Sequence, residues 1–174
     1  MSAFDLAAHK AQLKEPEDYY RQHSFTVYLW SDLWRKIAGP QAFEWSEVAF
    51  EDAAVDAVPM EPGIYAFKIA IRDTIMPEHS VIVYFGQSGA GSDGKLRKRF
   101  KQYLRGKKRG AKRILIDRLF RTWPNDLVFC YAALDCTEDE LLKLENDLSD
   151  AAIPMCSTMD FSAHVRRIVP VLRS

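Results

Sequence analysis

The chain has 174 residues, 48% of them hydrophobic and 12% aromatic, and its 24 basic side chains balance 24 acidic ones. That length fits one domain with a short accessory segment, and so much apolar and aromatic material excludes a disordered chain. No apolar run approaches the roughly 20 residues needed to cross a bilayer, and Met1 to Lys14 lacks the charged-then-apolar order of a secretion signal.

Cys130, Cys136 and Cys156 are odd in number and form no CxxC pair, which points to the reducing cytoplasm and away from structural zinc. The four histidines (His9, His23, His79 and His164) are scattered and suggest no ligand set. The neutral total hides a segregation of charge. Residues 95–121 hold thirteen basic side chains and one acidic, so this stretch carries +12 and the remainder of the chain −12. Solvated helix faces usually mix both signs; a one-sign stretch attracts polyanions even on a neutral molecule.

In chain order, residues 1–61 read as an acidic, mainly helical accessory segment. Trp30, Leu33, Trp34 and Ile37 follow helical spacing as a stripe expected to be core, Gly39-Pro40 stops the run, and a short strand follows near Glu47–Phe50. From Pro62 the pattern changes. Gly63–Ile69 and Val81–Gln87 are β-rich runs separated by about eleven residues with Asp73 and Pro77, the pattern of a hairpin with a longish loop. Two amphipathic helices follow, one presenting Leu96, Phe100, Tyr103 and Leu104, the other Ile116, Leu119, Phe120 and Trp123. Arg105–Gly110 reads as a basic turn between them. Leu127–Leu134 is a third, nearly continuous apolar strand, and Thr137 with Glu140 forms a capping box that opens a last helix ended by Pro154.

The expected fold is therefore α+β: a small three-stranded, antiparallel-containing sheet flanked by helices in the order β-β-α-α-β-α, with an N-terminal helical extension. Residues 62–158 form the main domain and 159–174 a C-terminal extension.

Three features carry chemistry. Glu145 sits within the inward stripe Leu141, Leu144, Leu148 and Ala152, where a carboxylate is costly unless it is paired or binds a cation. It reads equally as a structural ion pair and as a metal ligand or general base. Tyr65 and Tyr84 each lie two residues from a glycine on the same sheet face, and a hairpin symmetric about residues 74–75 sets them opposite each other. Paired tyrosines are often core, but the glycines also let a backbone or ligand approach closely. Arg99 stands within the basic helix Leu96 to Leu104.

This combination resembles the GIY-YIG nuclease superfamily. Gly63-Ile64-Tyr65 matches its first motif and Tyr84-Phe85-Gly86 its second; Leu96 to Leu104 is similar to the helix that carries the arginine in bacterial excision-repair members; Glu145 and Pro154 match its E…P arrangement. The resemblance covers residues 62–158. It implies a metal-dependent endonuclease that hydrolyses nucleic-acid phosphodiesters, DNA above RNA, with one Mg2+ or Mn2+ on Glu145. Tyr65 or Tyr84 would orient or deprotonate the attacking water, Arg99 would hold the scissile phosphate, and Tyr103 would touch the phosphate or leaving group. The implied nucleic-acid surface comprises Gly86, Gln87, Lys95, Arg97, Lys98, Lys101, Arg105, Lys107, Lys108, Arg109, Lys112 and Arg113. No membrane is expected as a partner, and the N-terminal segment is the expected place for a partner protein or a second copy.

The chain departs from the family pattern in three places. Gln87 replaces a lysine common in repair members, Ser88–Gly94 is a longer insert, and Ser157 replaces an asparagine. The last leaves open a domain that binds nucleic acid without cutting it. The insert also mimics a P-loop, since Gly89 to Lys95 reads GxxxxGK, which would make the chain a nucleotide hydrolase. Leu96 in place of Ser or Thr, Asp93 beside the would-be phosphates and the scarcity of strands count against that reading.

Overall fold

A computed structural model describes residues 17–18, 20–21, 23–37, 44–72, 75–89 and 95–173. In order, the elements are α1 (Ser31–Lys36), β1 (Ser46–Ala49), a 3-10 helix (Asp52–Ala57), β2 (Gly63–Ile71), β3 (His79–Ser88), α2 (Leu96–Arg109), α3 (Ile114–Thr122), β4 (Leu127–Ala133), α4 (Glu138–Ala152) and α5 (Ala163–Leu172). The fold is α+β, and its sheet has four strands in the order β1-β4-β2-β3. The expected three strands are corrected to four because Ser46–Ala49, inside the supposed accessory segment, pairs antiparallel with β4 from Ser46↔Tyr131 to Ala49↔Val128. The carboxylate of Glu47 fastens this short strand by reaching Lys68 on β2 at 2.5 Å and Arg72, just past its end, at 2.8 Å.

Alternation divides the sheet into two faces. Tyr65, Phe67, Ile69, Tyr84, Leu127 and Phe129 pack on Leu96, Phe100 and Leu104 of α2 and Ile116, Leu119 and Phe120 of α3. On the other face Ile64, Ala66, Phe85, Val128, Cys130 and Ala132 pack on Leu141, Leu144 and Leu148 of α4. Both strand runs of the hairpin are longer than expected. Their register also differs: Tyr65 pairs with Gly86, and Tyr84 pairs with Phe67. A bulge at Phe67/Lys68 inserts one residue into β3, and the loop centre adds a further offset. The two tyrosines keep a common face, with ring centroids 6.3 Å apart, as diagonal and not facing neighbours. All strand pairings are antiparallel, which does not supply the parallel crossovers of a P-loop fold; residues 90–94 of that pattern lie outside the described residues.

Two other expectations are corrected. The basic run Arg105–Arg109 continues α2 and is not a turn; the chain reverses only at Gly110, whose φ of +93° suits glycine. Lys107, on the inner side of that last helical turn, donates to the carbonyls of Phe50 (3.2 Å) and Pro124 (2.7 Å). The tryptophan stripe near residue 30 is not wholly core: Trp30 is 61% exposed, because the helix it precedes has only six residues and turns no buried side chain inward. Gly39 and Pro40, which were to stop that helix, lie outside the described residues, as do residues 1–16 and Asp73.

Helix α4 begins as its sequence demands. Thr137 accepts from the Glu140 backbone N–H (3.3 Å), and the Glu140 carboxylate accepts from the Thr137 N–H (2.9 Å). It ends at Ile153, in the left-handed region at φ +40°, just before Pro154.

Candidate active site

Because β3 is an edge strand, side chains from both layers meet beside it. A cleft of about 600 Å³ opens there, within the usual size of ligand sites. Tyr65 of β2, Tyr84 of β3, Arg99 and Tyr103 of α2, and Glu145 of α4 all line it. These five residues, spread over 81 positions of the chain, are the ones singled out above for catalysis.

The backbone explains the convergence. Tyr65 lies flat over Gly86, whose missing side chain leaves room for the ring, and stacks on Phe129 at 5.3 Å. Its hydroxyl meets that of Tyr103 at 3.1 Å. On α2, Phe100 and Leu104 face the core, which turns Arg99 and Tyr103 toward the cleft one helical turn apart. Gly110 reverses the chain, and the Asp117 carboxylate accepts from the Ala111 N–H at 2.8 Å, setting Arg113 at the start of α3. From there Arg113 Nη1 donates to the Tyr84 oxygen at 2.7 Å. Beyond α4, the Cys156 N–H bonds to the Val83 carbonyl on the edge of β3 and brings the following loop, with Asp160, to the cleft.

The electrostatics are unusual for a surface groove. Among the described residues, five cations, Arg99, Arg105, Arg109, Lys112 and Arg113, line it together with two acids, Glu145 and Asp160. Glu145 is 8% exposed and, among the described residues, receives no hydrogen bond or ion pair. Burial, with the nearby Asp160 charge, pushes its carboxyl up to about 7, opposed by Arg113 and Arg99. The structural ion-pair reading of this residue therefore lacks a contact. A buried carboxylate without a protein donor, facing a cleft, is the hard oxygen ligand that Mg2+ or Mn2+ takes, so Glu145 fits a divalent cation. Three buried polar atoms around the cleft have no hydrogen-bond partner among the described residues: Gln87 Oε1, Arg99 Nε and Asp160 Oδ2. Clustering of unsatisfied polar atoms in one place is the mark of a surface shaped for something polar.

Burial first, then the neighbouring phenols, drives Tyr65 well above the ordinary phenol value; burial, Tyr103 and Asp160 do the same to Tyr84, with Arg113 opposing. Both are thus hydroxyl groups and not phenolates at neutral pH. In this protein they suit orienting water or phosphate; deprotonating water would need added positive charge.

The structure separates the expected nucleic-acid surface into groups. Gln87, Arg105, Arg109, Lys112 and Arg113 line the cleft. Lys98, Lys101, Arg105 and Lys108 border a second groove along the outer ridge of α2, where Lys108 pairs with Asp52 at 2.6 Å. Arg97 turns away to the Val58 and Asp56 carbonyls, and Lys107 is held by backbone carbonyls as described. Lys95 caps the start of α2, exposed, and Gly86 serves as the floor under Tyr65. Ser157 is fully buried with its hydroxyl unsatisfied and does not line the cleft. Asp160 was not singled out by sequence: a lone aspartate in a loop has no periodicity or spacing to mark it.

No protein-family model, curated protein or solved structure matches this chain. Among the described residues no helix is long and apolar enough to cross a membrane.

Proposed function

We propose that this protein is a metal-dependent endonuclease of the GIY-YIG kind, hydrolysing phosphodiester bonds in nucleic acid, with DNA the first substrate to test. The observation that carries the reading is the meeting of Tyr65, Tyr84, Arg99, Tyr103 and the unpartnered Glu145 in one basic cleft. Glu145 would hold one Mg2+ or Mn2+, which when bound polarises a phosphate and draws the proton of a nearby water downward in pKa.

The chain's own residues do the rest. Arg99 faces Glu145 from the opposite helix; its Nη1 contacts Gln102 at 3.2 Å while its Nε is unpaired, so part of the guanidinium remains for a phosphate oxygen. A planar cationic fork there neutralises charge that grows on the equatorial oxygens during attack. The linked hydroxyls of Tyr65 and Tyr103 orient groups at the cleft floor. Arg105, Arg109 and Lys112 hold flanking phosphates by charge, without reading sequence.

A plasmid-nicking assay with Mg2+ or Mn2+, repeated on single- and double-stranded RNA, tests the reading. Wild type is expected to cut at least one substrate, and Arg99→Ala to cut it about 100–1000-fold more slowly, the usual cost of removing a donor to a developing oxyanion. Arg99 is half-buried, and its hydrogen bond to Gln102 is an exposed one, so the melting temperature of the variant should stay within a few degrees. Intact substrates throughout would refute catalysis and leave a nucleic-acid-binding domain.

A further inference from the structure

Arg113 makes more contacts than a solvent-facing arginine needs. Its Nη1 donates to the Tyr84 hydroxyl at 2.7 Å, and the guanidinium carbon lies 5.7 Å from the Tyr84 ring centroid. The same nitrogen is 3.6 Å from Asp160 Oδ2, a buried atom with no hydrogen bond. Yet the Arg113 side chain is 55% exposed, and a pair so open to water adds little to stability. Its Nε and Nη2 have no partner among the described residues. The arrangement holds one edge of a guanidinium and leaves the other edge facing the cleft.

We propose that Arg113, steadied by Asp160, is a working arginine of this cleft that fixes the Tyr84 hydroxyl with one nitrogen and takes a phosphate oxygen of the bound strand with its free edge. This rests on the nuclease reading above and adds two residues with defined roles to it. The hydroxyl logic follows from counting protons. A phenol has one hydrogen to give; with Arg113 donating to its oxygen, Tyr84 aims its own hydrogen away from Arg113, toward the cleft that Tyr103 also lines. Tyr103 neighbours both phenols, but its close hydroxyl contact, at 3.1 Å, is with Tyr65. Tyr84 therefore becomes the tyrosine that donates to the reacting water or phosphate, and Tyr65 a member of the supporting pair. A planar fork can serve tyrosine and phosphate together; a lysine, with a single charged nitrogen on a flexible stem, cannot hold both in fixed directions.

A double-mutant cycle on the nicking rate decides this. Arg113→Gln and Tyr84→Phe are each expected to lower kcat/KM about a hundredfold, and the double variant to be no slower than about threefold below the worse single, as for residues that act as one unit. Arg113→Gln combined with Tyr65→Phe should instead multiply the two separate losses. Asp160→Asn should cost about tenfold, and Arg113→Lys should stay within about threefold of Arg113→Gln, since the charge without the fork does not serve. Multiplying losses for Arg113→Gln with Tyr84→Phe, or a wild-type rate in Arg113→Lys, would overturn the proposal while leaving the nuclease reading intact. A wild type that cuts nothing would end both. Circular dichroism and melting of each variant guard against misreading an unfolded protein.

Discussion

Glu145→Gln is expected to abolish cleavage, by about a thousandfold or more, and at the same time to make the protein more stable. The two effects share one cause. The carboxylate is buried and unpartnered, so its ionised form is costly in the free protein, and the carboxyl is held up to about 7 by burial and by Asp160. The unfolded chain releases that proton near the ordinary carboxylate value. Between the two values the folded state holds more protons than the unfolded one, so this group's contribution to stability declines as pH rises from about 4.5 and is at its lowest above about 7.

The shift corresponds to about 3 kcal/mol by the usual conversion. Glutamine keeps the shape and removes the charge. Urea unfolding at pH 8 should therefore show Glu145→Gln more stable than wild type by an amount of that order, with the difference shrinking toward pH 5. Arg99, Arg113 and Asp160 face the same carboxylate and are unchanged in this comparison. Millimolar Mg2+ or Mn2+ at pH 8 should raise the melting temperature of wild type and not of the variant, because a ligand that binds only the folded state stabilises it. A variant less stable than wild type at pH 8 would mean that Glu145 has a structural partner after all.

Gly86→Ala should damage fold and site together. A methyl at Gly86 would overlap the Tyr65 ring, with Cε2 only 2.6 Å away. The ring cannot step aside: it is 3% exposed, stacked on Phe129 and joined to Tyr103. Either the β2–β3 pair opens locally or the phenol shifts. Overpacking of this kind costs about 1–3 kcal/mol, and displacing a site group by about 1 Å costs about a hundredfold in rate. Gly106→Ala is the control. There the nearest atom to an added methyl is 3.5 Å away, ordinary contact in a helix interior, so stability should rise by up to about 1 kcal/mol. Opposite signs from two glycine-to-alanine changes, read by urea unfolding, would tie the Gly86 effect to the aromatic ring above it.

The helices and long strands were legible in the sequence because their periodicity was unbroken: α2, α3, α4 and β4 lie where Leu96/Phe100/Leu104, Ile116/Leu119/Phe120, the Thr137 box and the Leu127 run place them. The five residues of the candidate site were likewise legible as types on elements, and the structure brings them to one cleft. What escaped was pairing. Four residues of β1 show no sign of which strand they join, and the choice of β4 rests on Glu47 reaching across to Lys68 and Arg72. The Phe67/Lys68 bulge leaves no local trace, so the tyrosines were expected face to face and lie diagonal. Asp160 and the second role of Arg113 depend on a loop meeting a helix start, a long-range event that no spacing encodes.

The acidic 3-10 helix sets how the basic stretch is felt from outside. Asp52 pairs with Lys108 and Asp56 with Arg97, so part of the outer flank of α2 is already neutralised from within the molecule. Arg99, Arg105 and Arg109 on the cleft side form no ion pair among the described residues. The thirteen cations of residues 95–121 thus act less as a uniform cloud than as a one-sided strip. A polyanion meeting the molecule would be drawn along a single lane, with the phosphate chain laid across the cleft instead of wrapped around the helix.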